Sequence, residues 1–263
     1  MDLGLNQKVA IVCAASKGLG RASATALARA GANVVVCARN EQELNEAAAA
    51  IRAEGGSQVL PVTCDLTREE DIEQLVEKGV EEFGTVDILV TNVGHPQMGA
   101  FSDLADADWQ GGYEGVLLPV IRLCRLVIPH MQQANWGRIV HITSIAVREP
   151  GTPYLISSVF RAGVAALSKS LANELGHAGI LVNTVCPGPF KTPLGKELIR
   201  KAAAAQNKTY AEIESETAQA SVIGRMGEAE ELAALVAFLC SNQAGNITGQ
   251  VMTVDGGAAR GLL

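Results

Sequence analysis

Short runs rich in β-branched residues recur along this chain, and between them the apolar spacing switches to that of helices. The runs fall at 8–12, 33–37, 58–62, 86–90, 138–142, 180–185 and 251–254 and read as strands. Several are apolar almost throughout, as in strands covered on both faces. Helical patterns fill 19–30, 41–54, 68–83, 109–133, 153–176 and 229–241. Gly31, Gly55 and Gly84 stand where helices would end, and Thr67 offers an N-cap ahead of Arg68-Glu69-Glu70. Strand–helix alternation predicts an α/β fold: one doubly wound parallel sheet of about seven strands with helices on both faces.

No linker or repeat divides the chain, so a single domain over residues 1–263 is expected. One segment breaks the rhythm. Residues 190–223 are polar, Ala-rich and helical in part, placed where a substrate lid would be inserted.

Composition excludes several function classes. With 48% hydrophobic and only 19% charged residues, the chain can fill a large core. A net charge of -7 argues against nucleic acid or an anionic membrane surface as the main partner. The apolar stretch 115–129 is interrupted by Arg122 and Arg125, and no membrane span is expected. Residues 1–8 carry Asp2 and no apolar stretch, so no secretory signal is read there. The six cysteines are scattered without ligand spacing, which fits buried thiols in a reducing, cytoplasmic compartment and no metal site.

The first strand runs into Ala14-Ala15-Ser16-Lys17-Gly18-Leu19-Gly20 and then a helix. Glycines at such a turn let the backbone approach a pyrophosphate, which then sits on unpaired N–H groups of the helix N-terminus. At the end of the second strand, where an acid would read the ribose hydroxyls of NAD, the chain has Ala38-Arg39-Asn40. Arg39 is suited to a 2′-phosphate, with Lys17 as a second positive charge. NADP(H) is therefore favoured over NAD(H). The plainer alternative is a surface Arg39 paired with Glu43.

Gly18-Leu19-Gly20, Asp65, Asn92-Val93-Gly94, Ser144, Asn183 with Pro187-Gly188, and the ending Ile247-Thr248-Gly249-Gln250…Val254-Asp255-Gly256-Gly257 together resemble the short-chain dehydrogenase/reductase family. The resemblance covers nearly the whole chain. It implies a Rossmann-type sheet, a nicotinamide cofactor and a homo-oligomer, tetramer or dimer, for which the apolar helix over 116–131 is a candidate interface. It places Asp65 and Leu66 beside the adenine and Asn92, Val93 and Gly94 along the cofactor. Pro187, Gly188 and Thr192 would meet the nicotinamide end. The family's turn begins Thr-Gly, whereas this chain has Cys13-Ala14.

The catalytic pattern departs further. The family uses Asn, Ser, Tyr and Lys, with Tyr moving the proton on the substrate oxygen. Counting from Ser144, the Tyr position holds Ser157 and the Lys position Arg161, while the Asn position falls on Val116. A serine hydroxyl is far less acidic than a phenol, and an arginine stays protonated. Two neighbours could restore proton transfer. Tyr154 precedes Arg161 by seven residues, two helical turns if the helix already runs there. His95 follows Asn92-Val93-Gly94 at the nicotinamide edge. A water is the third candidate. His141, inside a strand, reads as a packed residue.

These features resemble a divergent branch grouped with 3-oxoacyl-carrier-protein reductases. The expectation is an NADP(H)-dependent oxidoreductase acting on a carbonyl or alcohol of a small or medium apolar substrate, with Ser144, Ser157, Arg161, Tyr154 and His95 at its site. The alternative is a cofactor-binding protein without dehydrogenase turnover.

Overall fold

The β-branched runs pair side by side, each parallel to the next, and the helices between them cover both faces. The computed structural model describes residues 2–261. Met1, Leu262 and Leu263, included in the single-domain expectation, lie outside the described residues. Among those residues the strands are β1 (Val9–Val12), β2 (Asn33–Ala38), β3 (Val59–Thr63), β4 (Ile88–Asn92), β5 (Gly137–Ile142), β6 (Ile180–Pro187) and β7 (Val251–Val254). They form one sheet in the order β3-β2-β1-β4-β5-β6-β7. The order reverses direction between β1 and β4, and ligands of open parallel sheets bind beyond the strand ends at such a point.

The helices are α1 (Gly18–Arg29), α2 (Glu41–Gly55), α3 (Glu69–Phe83), α4 (Asp106–Gly112), α5 (Leu118–Ala134), α6 (Leu155–Leu175), α7 (Pro193–Gln206), α8 (Tyr210–Gln219) and α9 (Ala229–Cys240). Alternate strand residues feed two cores. Ala10, Val12, Val34 and Val36 pack with α1, α2 and α9, while Ile11, Val35 and Leu89 pack with α3, α5 and α6.

Four expectations need correction. The helix read as continuous over 109–133 is broken into α4 and α5 by a π-helical turn, Tyr113–Leu117. Such turns gather at functional sites. Thr67 does not cap α3: Arg68 holds the N-cap position, and Thr67 turns its N–H and hydroxyl to the Asp65 carboxylate at 3.0 and 2.9 Å. Gly55 is the last residue of α2, and Gly56 takes the left-handed cap at φ 72°. Finally, the sequence reading passed over the helix at Leu155–Ala178, which is long and apolar enough to cross a membrane by length and composition. Here it is the crossover between β5 and β6, packed on the sheet with Arg161 and Ser168 facing inward.

Residues 190–223 form α7 and α8, whose Ile199, Ala203 and Ile213 make a small core with Met226 just beyond the segment. Thr192 starts α7, its Oγ1 accepting from Gly195 N at 3.0 Å, and Thr209 starts α8 in a capping box with Glu212.

Candidate active site

A cleft of about 860 Å³ opens along the ends of β1, β2, β3 and β4. At its centre the chain leaves β1 and turns into α1. Gly18 holds φ 60°, in the left-handed region that glycine enters freely. Gly20 is required for another reason: a Cβ there would stand 2.4 Å from the Ala14 carbonyl oxygen. Lys17 occupies the N-cap of α1 without bonding its first turn. The N–H groups there keep their capacity to meet an anion, so the turn fits a pyrophosphate. Ala14 and Ser16 line the cleft beside it, and Leu19 packs half-buried under the turn. Ala14 stands at φ 48°, so the residue that replaces the family's glycine carries backbone strain.

At one end of the cleft the walls are charged. Arg39 and Asn40 leave β2 exposed on the lining. Asn40 Oδ1 caps α2 by accepting from Glu43 N at 2.9 Å. Among the described residues Arg39 has no carboxylate within ion-pair distance. Glu43 pairs with Lys17 instead, at 3.3 Å. Asp65 and Leu66 line the same end. Thr67's backbone N–H, then its hydroxyl and the charge of Arg39, hold the Asp65 carboxyl below its ordinary pKa. Beneath them lie three buried cysteines: Cys13 and Cys64 directly follow β1 and β3, and Cys37 is inside β2 near its end. The thiol contact with Cys13, followed by burial, keeps Cys37 protonated.

Beyond β4, Asn92, Val93, Gly94 and His95 line the cleft together with Gly115 and Val116 of the π-helical turn. A Cβ at Gly94 would stand 3.4 Å from the Gly115 carbonyl oxygen. Gly188, after Pro187 of β6, packs where a Cβ would meet Asp255 at 2.6 Å. Thr192 lies across from Gly18, with its Cβ 3.5 Å from where a Gly18 side chain would begin. The glycine turn and the start of α7 therefore face each other.

Ser157 and Arg161 are buried on α6 and bonded to each other, Arg161 Nε donating to Ser157 Oγ at 3.1 Å. Arg161 Nη1 also donates to the Thr143 carbonyl at 3.1 Å and Nη2 to the Gly94 carbonyl at 2.9 Å. Burial lowers its pKa to about 10, so it stays charged at neutral pH. Ser144 Oγ accepts from Ala146 N at 3.2 Å, which leaves its hydrogen free to donate. Tyr154 is not inside α6 but at its N-cap, φ -96° and ψ 26°, with its carbonyl accepting from Ser158 N and Oγ. The two-turn alignment with Arg161, which required a helical Tyr154, is not formed. His95 has part of its ring open to solvent. Desolvation of the rest, followed by the charges of Arg161 and of Lys201 on α7, lowers its pKa. His141 is fully buried, its Nδ1 2.8 Å from Thr91 Oγ1.

A family model described as Enoyl-(Acyl carrier protein) reductase matches residues 13–259. The chain belongs to the short-chain dehydrogenase/reductase family. It is 35% identical over 255 residues to dehydrogenase/reductase SDR family member 4 of Oryctolagus cuniculus, covering 97% of this chain and 94% of that protein. L-sorbose reductase from Gluconobacter frateurii, solved with NADPH and L-sorbose, superimposes with a TM-score of 0.95 at 33% identity and 100% coverage of both chains. A 7α-hydroxysteroid dehydrogenase solved with NADH and 7-oxo glycochenodeoxycholic acid gives 0.90 at 32% identity, covering 100% of this chain and 98% of that one. The chain is thus a short-chain oxidoreductase by family, on a Rossmann-type sheet.

Three features of the site have little signal in the local sequence. The π-helical turn leaves no mark in apolar spacing. The reach of Arg161 to two carbonyls depends on how α6 lies across the sheet. Glu43, an acid three residues after an Asn N-cap at the cleft, is expected only as the partner of Arg39 in the plainer alternative, whereas it pairs with Lys17.

Proposed function

We propose that this short-chain dehydrogenase/reductase uses NADP(H) to reduce a carbonyl, or oxidise an alcohol, on a small or medium apolar substrate. The observation that carries the cofactor choice is Arg39, exposed on the cleft wall with no carboxylate partner among the described residues, where an NAD site would place an acid. Lys17 stands near enough to add a second charge once it leaves Glu43. The cofactor, when bound, supplies or accepts the hydride.

This chain's own residues then have distinct roles. The free hydrogen of Ser144 is suited to hold the substrate oxygen. Arg161 supplies a fixed positive field under the cleft floor and cannot relay a proton. His95, neutral at pH 7 because its pKa is lowered, is a base for alcohol oxidation, and its protonated form an acid for reduction. Val93, Pro96 and Val116 on the lining favour an apolar substrate body. The buried free thiols are consistent with a reducing cytoplasmic setting. The exposed side of α6, where Val159 is 52% accessible, suits contact with a second copy of the chain.

The second reading is cofactor binding without turnover. It is favoured by one observation, that the residues at the Tyr and Lys positions are bonded to each other and to backbone carbonyls.

Fluorescence titration with NADPH and NADH tests the first reading, which expects NADPH to bind about tenfold more tightly. Equal affinities, or a preference for NADH, would overturn the role of Arg39. A panel of ketones and aldehydes with NADPH then separates the readings, since consumption by none of them supports binding alone.

A further inference from the structure

We propose that Glu43 sets how strongly the cleft prefers a 2′-phosphorylated cofactor, by competing with that phosphate for Lys17; this rests on the NADP(H) reading above. Glu43 lies in the first turn of α2, and its backbone N–H is pinned by Asn40 Oδ1 at 2.9 Å. Its backbone is therefore held at the cleft wall, where Glu43 lines the cleft with Lys17, Arg39 and Asp65. Lys17 Nζ reaches it at 3.3 Å, with both side chains about half exposed. An exposed pair of this kind is weak and readily exchanged.

A phosphate arriving between Lys17 and Arg39 meets two opposing effects. Two cations attract it, while the Glu43 carboxylate repels it and must first surrender Lys17. Arg39 has no ion pair to surrender among the described residues, and Asp65 acts on it only through its charge. The wall thus contains an attractive pair and a built-in brake on the same ligand.

The test is the Glu43→Gln variant of the full chain, titrated with NADPH and with NADH at low and high salt. Glu46→Gln serves as the charge control, because Glu46 bonds Gln42 along the outer face of the same helix. NADPH affinity is expected to rise about three- to tenfold in Glu43→Gln, with NADH unchanged, and the gain to shrink at high salt. An unchanged or weaker NADPH affinity would overturn the proposal, as would an equal gain in Glu46→Gln. A fall in NADH affinity would also overturn it, since the carboxylate would then be reading ribose hydroxyls. The wild-type ratio of NADPH to NADH affinity is measured first, so a failure of the cofactor reading is seen separately.

Discussion

The two sides of the sheet treat their polar groups differently. Beyond β1, β2 and β3 the protein keeps donors free. Among the described residues the first turn of α1 has no side-chain cap, Arg39 has no ion-pair partner, and the buried groups below are free thiols. Beyond β4, β5 and β6 the Ser144 hydrogen stays free, but the groups at the Tyr and Lys positions are committed to the protein itself. Arg161 bonds Ser157, Thr143 and Gly94, while His141 bonds Thr91. The difference teaches which half is built to receive a ligand unaided. A cofactor can be gripped by the first half as it stands, whereas the second must find its proton from a group outside the family's usual pair.

The sharpest way to break this contrast is to rebuild the missing pair. Ser157→Tyr with Arg161→Lys returns a phenol and an ammonium to the α6 face. Carbonyl reduction is expected to rise about a hundredfold, the lower range for a positioned general acid. NADPH consumption at saturating ketone measures it, with thermal unfolding as a check that the buried phenol is accommodated. A stable double variant without a gain would show that the committed half already has an adequate proton source.

This contrast was only half legible in the sequence. The β-branched rhythm and the glycines gave the sheet, its helices and the cleft, because period and turn chemistry are local properties. The substitutions at Ser157 and Arg161 were also visible by counting. Their consequences were not, since the carbonyls that hold Arg161 come from β4 and β5, far away in the chain. The helical spacing read from 153 begins two residues too early for Tyr154 to lie within α6. Lys17 and Glu43 are twenty-six residues apart, and no local pattern announces that pair.

Acid separates the halves next. Burial lowers the His141 pKa to about 4, against an ordinary value near 6.5 in the unfolded chain. The stability tied to its neutral form is fully present above pH 6.5 and is lost as pH falls toward 4. About 3 kcal/mol should disappear over that window. Urea unfolding at pH 7 and pH 4.5 would show the loss in the wild type, with a smaller drop in His141→Gln. Cys37 and Cys64 contribute nothing in this range, because their thiol contacts and burial push both further toward the protonated form.

A smaller effect concerns His95, whose lowered pKa sets the direction in which activity tracks pH. Its neutral form persists below the ordinary histidine range, so alcohol oxidation should hold its rate through pH 6.5 and fall only in more acid buffer. Carbonyl reduction through the protonated form should rise over the same acid range. The change attributable to His95 is expected to reach about tenfold, at the weak end for general acid–base catalysis given a partly solvated ring. His95→Ala should flatten both profiles. If the profiles survive the substitution, the proton on the catalytic side comes from Tyr154 or from water.

The smallest test lies in the cofactor half and asks whether that half is as relaxed as its free donors suggest. Ala14 at φ 48° carries a side chain where the left-handed backbone disfavours one by roughly 1 kcal/mol. Glycine removes that strain but gains freedom in the unfolded chain, which offsets part of the benefit. Ala14→Gly should therefore stabilise the fold by about 0.5–1 kcal/mol, or roughly 1–4 °C in melting temperature for a chain of this size. NADPH affinity should stay within about twofold, since the N–H donors of the α1 first turn are not altered. A loss of stability would mean that the half-buried Ala14 methyl is held by packing in the cleft wall. The cofactor half would then tolerate backbone strain to shape its site, as the catalytic half tolerates a buried charge.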